Sequence, residues 1–125
     1  MASLAEVLRG AVSPEQLNAL GAVLNRTDYD GGFETVTSGA ISLTKRTTKL
    51  SIDGTKAFTL ADGLYAGQIK FLFCSVATNT PAGTVTPANF DVGASLGFNA
   101  TNDAAILEWD GTNWIAVSLT SVTIS

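Results

Sequence analysis

The stretch AAILEWDGTNWIAV, residues 104–117, carries the clearest structural signal in the chain. Apolar residues lead into the tetrapeptide Asp110–Asn113 and continue after it, with Trp109 and Trp114 on either side. An Asp-Gly turn between two apolar runs is typical of a β-hairpin. Two indole rings that flank such a turn pack across the strands more often than they stack on a sugar. The sequence therefore predicts a hairpin closed by a tryptophan pair.

The same alternation of side chains extends upstream through most of the chain. The strand around Ile69–Cys74 is apolar at successive positions, which predicts a central strand that is apolar on both faces. Shorter strands are predicted on either side of it, separated by turns that contain Gly or Asp-Gly. Seven to nine such strands predict an antiparallel β-sandwich or a jelly-roll-like barrel over residues 35–125.

Two short helices are predicted in residues 1–26. Ser3 and Glu6 have the spacing of a capping box, and Ser13 followed by Pro14 is a strong helix start. The second helix carries a leucine stripe that it is too short to bury alone, so the stripe must pack on its own β-domain, on neighbouring copies or on a separate partner. The apolar residues assigned to such a contact are Leu4, Leu8, Leu17, Leu20, Val23 and Leu24. Residues 27–34 are predicted to be a linker.

The composition excludes several classes of function. The chain has 125 residues with a formal net charge of −4, and its 14% of charged residues compares with about 25% in a typical domain. It has no histidine and one cysteine, which excludes a histidine base, a histidine metal site, a Cys/His dyad and an internal disulfide. No basic cluster suits nucleic acid, no apolar run is long enough to span a membrane, and no signal peptide opens the chain. An enzyme is not expected.

A weak candidate for a metal site lies at the predicted linker. Asp28, Asp30 and Glu34 offer carboxylates around a Gly-Gly turn, as at the start of a calcium loop. The remaining spacing of an EF-hand is absent, so a solvated linker is the preferred interpretation and no metal or cofactor is expected.

Other polar residues have structural interpretations. Lys45, Arg46 and Lys49 form the only positive patch and are expected at a solvated strand edge or, less favoured, against an acidic partner. Cys74 is expected to be a buried, inert thiol. Glu108 and Asp110 are close enough to act as a carboxylate pair, but capping of the hairpin turn is the preferred role.

Three segments occur in the order TLADGLYAGQIKFLF, GTVTPANF and AAILEWDGTNWIAV. Over Phe58–Val117, about half of the chain, this order resembles a β-rich module common in virion proteins of tailed bacteriophages. The resemblance implies a structural virion protein, such as a head decoration (cement) protein, a head fibre or a tail-fibre module, commonly a homotrimer. It assigns no catalytic residues.

Taken together, the residues and the resemblance predict a capsid decoration protein. We expect a homotrimer on the outer surface of the capsid that binds the major capsid protein through residues 1–26 and stabilises the head, without nucleic acid or membrane as partners. The alternative is a head- or tail-fibre module that recognises host-surface glycan. A glycan depolymerase is disfavoured because no carboxylate pair is placed convincingly.

Overall fold

The computed structural model describes residues 32–125, so both predicted helices and the first part of the predicted linker lie outside the described residues. The described chain is mainly β-structure in one mixed sheet of eight strands. The strands are β1 (Phe33–Val36), β2 (Gly39–Ala40), β3 (Thr47–Leu60), β4 (Ile69–Pro87), β5 (Leu96–Phe98), β6 (Ala104–Trp109), β7 (Trp114–Thr120) and β8 (Thr123–Ile124). Between residues 32 and 125 there is no helix with the length and apolarity needed to cross a membrane.

The strand pairing departs from the predicted antiparallel arrangement. β1 and β2 each pair in parallel with β3, and β3 pairs in parallel with β4. The remaining pairs, β4 with β5 and β6, β5 with β8 and β6 with β7, are antiparallel. The expectation of a purely antiparallel sheet is therefore wrong, and the path of the two long strands explains why.

β3 folds over near its middle. A straight strand of 14 residues would extend about 45 Å. The eight residues 61–68, which return the chain to the start of β4 beside Thr47, reach at most about 30 Å. β3 must therefore bend, and β4 pairs with it on both sides of the bend. Because the chain comes back to the same end each time, successive long strands run parallel.

The two halves of each long strand belong to different parts of the sheet. Residues 47–50 of β3 lie between β1 and β4, and residues 58–59 lie between β2 and β4. Both edges of each half of β3 are thus occupied by hydrogen-bonded neighbours. We call β1, β6, β7 and the first parts of β3 and β4 the first half of the sheet. The second half contains β2, β5, β8 and the last parts of β3 and β4.

The bends lie where the backbone enters the left-handed region. Gly54 has φ 73° in β3, and Asn79 and Thr80 have φ 53° and 55° in β4. The register between the two strands shifts at the same place. The Asp53 carboxylate accepts hydrogen bonds from Thr78 Oγ1 at 3.1 Å and Asn79 Nδ2 at 2.5 Å, so it ties one bend to the next.

Buried side chains from both halves of the sheet form one core. Alternate residues of the long strands point inward, as the period of two requires. The buried apolar residues include Leu50, Ile52, Phe58, Leu60, Leu72, Val85, Leu96, Phe98 and Leu107. The β-character and the central position of β4 are confirmed, and the apolar side chains Ile69, Phe71 and Phe73 on its outer side are half-buried.

The tryptophan hairpin is confirmed. Trp109 faces Trp114 across β6 and β7, with ring centroids 5.5 Å apart and planes inclined at 60°. Both side chains are buried, and Trp114 Nε1 donates a hydrogen bond to the Ala61 carbonyl at 2.8 Å. Neither ring is available as a platform for a sugar.

Candidate interaction surface

Glu34 is the member of the weak metal candidate that the structure describes, since Asp28 and Asp30 precede residue 32. Glu34 lies in β1, which begins at Phe33, so the last two residues of the predicted linker belong to a strand. Its Oε1 accepts hydrogen bonds from Ser42 N at 2.8 Å and Thr48 Oγ1 at 2.6 Å. Among residues 32–125 no group of three or more acidic, histidine or cysteine residues is placed to hold a metal ion. Glu34 instead forms part of a buried polar cluster.

Lys70 is the centre of this cluster, and its side chain is fully buried. Its Nζ donates hydrogen bonds to the carbonyls of Ser42 at 2.7 Å and Lys45 at 2.6 Å, and lies 3.8 Å from Glu34 Oε1. Burial lowers the pKa of Lys70 to about 8, although the Glu34 carboxylate works against the shift. These hydrogen bonds hold the connection between β2 and β3 against β4.

Gln68 has a similar role in the same region. Its Nε2 donates to the Leu43 carbonyl at 2.8 Å, and its Oε1 accepts from Leu64 N at 2.6 Å. Sequence reasoning placed neither Gln68 nor Lys70 in a site. Lys70 nevertheless lies at one of the alternate inward positions of β4, and Gln68, just before the strand, continues the same alternation. A polar residue at such a buried position needs hydrogen-bond partners. Because their hydrogen bonds are made within the protein, the cluster has a structural role.

The acidic residues that precede glycine differ from one another. Asp110 Oδ1 accepts from Thr112 N at 2.7 Å and Asn113 N at 2.6 Å, and these bonds lower the pKa of Asp110. Turn capping by Asp110 is confirmed. The Asp62 carboxylate has a different partner: its Oδ1 accepts a hydrogen bond from the Asn89 side chain, Nδ2, at 2.8 Å.

Cys74 is a buried thiol, as predicted. Its Sγ donates a hydrogen bond to the Val76 carbonyl at 3.2 Å, and its side chain has no exposed surface. Burial raises the pKa of Cys74, which keeps the thiol protonated and unreactive at neutral pH.

The outer face of the first half is unusually apolar. Phe33, Thr47, Phe71 and Ile106 follow one another in register across β1, β3, β4 and β6. They line a groove of about 460 Å³ together with Phe73 and Ala104, among others. We call this feature the aromatic groove. Phe33 is 57% exposed at its edge.

The outer face of the second half has a different chemistry. Its exposed positions on β3 and β4 include Thr55, Thr59, Thr84 and Thr86. Threonine suits a solvated strand surface because it combines β-propensity with a hydroxyl group. The two outer faces of the sheet therefore differ, with an apolar groove on the first half and a row of threonines on the second half.

Cationic side chains border the aromatic groove. Arg46 Cζ lies 6.0 Å from the centre of the Phe71 ring, and Lys49 Nζ lies 5.1 Å from that of Phe33. The Arg46 Nε atom is buried and has no hydrogen-bond partner among residues 32–125. Lys49 lies in β3, between β1 and β4, so the expectation of a strand edge is wrong for this residue. Arg46 lines the groove, and Lys49 lies over the Phe33 ring at its edge.

The sequence-predicted contact residues Leu4, Leu8, Leu17, Leu20, Val23 and Leu24 lie outside the described residues. The groove itself was not predicted, although its signal is present: the residues that alternate with the inward positions of β4 are also apolar. No family model matches this chain, and no curated protein matches it.

Proposed function

We propose that the protein is a capsid decoration protein of a tailed bacteriophage, a homotrimer that binds the major capsid protein on the outer surface of the head. The observation that carries the proposal is the contrast between the two outer faces of the sheet, one apolar and one lined with threonine. The low content of charged residues supports it, and so does the occurrence of the three segments of the virion module in the expected order along the sequence. In this proposal the two halves of the sheet are the layers of a β-sandwich, and the protein has no catalytic role.

The mechanism is mechanical. Residues 1–26 hold the protein on the shell, and three linked copies turn a weak single contact into a strong attachment through avidity. A trimer that bridges neighbouring capsomers resists their separation when packaged DNA strains the shell. A surface with few charges suits such contacts, because desolvating an unpaired ion is costly.

The experiment compares the full chain with a variant that lacks Met1–Arg26. The full chain is expected to have the mass of a trimer in solution and to pellet with empty capsids. The truncated variant is expected to retain its β-type circular dichroism but to stay in the supernatant. Truncated protein that still pellets with capsids would contradict the assignment of residues 1–26.

A matched pair of variants locates the contact more sharply. The double variant Leu4→Ser with Leu8→Ser removes two apolar contacts and is expected to weaken capsid binding. The control variant Ala2→Ser with Ala5→Ser also introduces two serines, but outside the assigned residues. Equal weakening by both pairs would contradict a contact through Leu4 and Leu8.

The fibre alternative receives less support from the described residues. Glycan recognition by stacking needs an exposed ring; both tryptophans are buried, and the exposed Phe33 ring lies beside Lys49 at the border of the aromatic groove. Tyr65, which is 36% exposed, lies in the connection between β3 and β4. A glycan array is expected to show no binding, and a specific signal that Tyr65→Ala removes would favour the fibre module instead.

A further inference from the structure

We propose that the aromatic groove is the docking site for the chain's own segment Ser13–Arg26, the second predicted helix, whose leucine stripe covers the groove in the free protein. This inference goes beyond the proposed function, because it concerns packing inside one chain and requires neither a trimer nor a capsid. It leaves Leu4 and Leu8 of the first predicted helix for the capsid contact.

The dimensions of the groove and the stripe agree. Phe33 and Phe71 lie two strands apart on one face, which corresponds to about 10 Å. In a helix, Leu17 and Leu24 are separated by seven residues, which is also about 10 Å along the axis. A helix laid across β1, β3 and β4 therefore places successive leucines over the aromatic rows.

The residues that flank the proposed helix carry charge opposite to that at the border of the groove. Arg46 and Lys49 border the groove, and the Arg46 Nε atom lacks a hydrogen-bond acceptor among the described residues. Residues 1–31 contain four acidic side chains and two arginines, so that part of the chain is net negative. These residues are Glu6, Glu15, Asp28, Asp30, Arg9 and Arg26. Ser13–Arg26 itself carries one acid, Glu15, and one base, Arg26, so the excess of negative charge lies in the residues that flank it.

The connection between the two parts favours docking within one chain. Phe33 itself borders the groove and is the first residue of β1. Only residues 25–32 separate it from Leu24, and these eight residues reach at most about 30 Å. A tether of this length holds the stripe at an effective concentration in the millimolar range, above that of a second copy at micromolar concentration.

The test is disulfide trapping in the full chain. The variant Leu20→Cys with Ala104→Cys places one thiol on the stripe and the other in the groove. Two control pairs change one partner each. Ala22→Cys with Ala104→Cys moves the first thiol to the opposite side of the predicted helix. Leu20→Cys with Thr84→Cys moves the second thiol from the groove to the threonine face. Cys74 stays in all variants, and the single variants report any pairing with it.

Mild oxidation is expected to give an intrachain disulfide in the first pair, seen as faster migration on a non-reducing gel. This disulfide should form at least roughly tenfold faster than in either control, since docking holds the thiols at bonding distance. Equal rates in all three pairs would overturn the proposal. Disulfides that form only between chains would also overturn it, because they would show that a second copy occupies the groove.

Hydrogen exchange in the unmodified protein provides a second measurement that does not depend on a variant. Amides of residues 17–24 are expected to exchange at least roughly tenfold more slowly than unstructured amides. Exchange at the unprotected rate would overturn docking. Neither measurement involves capsids, so its failure is distinct from a failure of the proposed decoration function.

Discussion

Lys70 illustrates how the burial of a single side chain can organise a connection between strands. Its ammonium group satisfies two carbonyls of the β2–β3 connection and lies beside Glu34, although none of these groups is near it in sequence. A buried charge is tolerated when it is paired and hydrogen-bonded. Removing either the charge or its partner therefore leaves polar atoms buried without compensation.

Lys70→Met is expected to destabilise the protein by about 3–5 kcal/mol, because it leaves two carbonyls and the Glu34 carboxylate without their cation. Lys56→Met is the control, because the Lys56 side chain in β3 keeps part of its surface in solvent; its effect should stay within about 1 kcal/mol. The free energy of unfolding from urea denaturation measures both. A Lys70→Met variant as stable as the control would contradict the structural role of Lys70.

Lys70 also predicts a pH dependence of stability. Its pKa is about 8 in the folded protein and 10.5 without the protein environment, so between these values the unfolded chain binds more protons. Raising the pH through this window favours the folded state. The stability of the wild type relative to Lys70→Met should therefore increase from pH 8 to pH 10.5. Cys74 has the opposite effect but is present in both proteins. Parallel pH curves would contradict the prediction.

At the scale of elements, the bends of β3 and β4 decide the architecture. Each bend sends the chain back across the core, so that both halves of a long strand find neighbours on both edges. Gly54 adopts its positive φ without steric cost, whereas Thr80 is a β-branched residue at φ 55°. The bend in β4 is therefore held in place at some cost in conformational energy.

Thr80→Gly is expected to stabilise the protein by about 0.5–1 kcal/mol, because glycine removes the steric cost of the left-handed conformation. Thr78→Gly is the matched control two residues earlier. There the substitution removes the hydrogen bond to Asp53 and should destabilise by about 1 kcal/mol. Thermal unfolding measures both, and a loss of stability in Thr80→Gly would contradict the strained bend.

At the scale of the whole molecule, the folded sheet separates an apolar outer face from a threonine face. The charged residues are few, and the cations near the groove lie over aromatic rings. Contacts between copies are therefore expected to depend on apolar burial more than on ion pairs.

The proposed trimer should accordingly be insensitive to salt. Sedimentation at micromolar concentration is expected to give the same trimer mass at about 0.05 M and about 1 M NaCl, because salt screens charges without weakening apolar contacts. Dissociation at high salt would contradict an apolar interface. A monomer under both conditions would contradict the trimer itself.

Local pattern by itself determined the β-character of the chain, the tryptophan hairpin, the capping role of Asp110 and the buried state of Cys74. These features depend on neighbours within a few residues, where side-chain period and turn chemistry act directly. Tertiary structure alone decided the parallel pairing of β3 and β4, the satisfaction of Lys70 and the position of the aromatic groove. The physical reason is that bends bring together residues far apart in the chain, as Lys70 and Lys45 are, and no local period records which of two apolar faces turns outward.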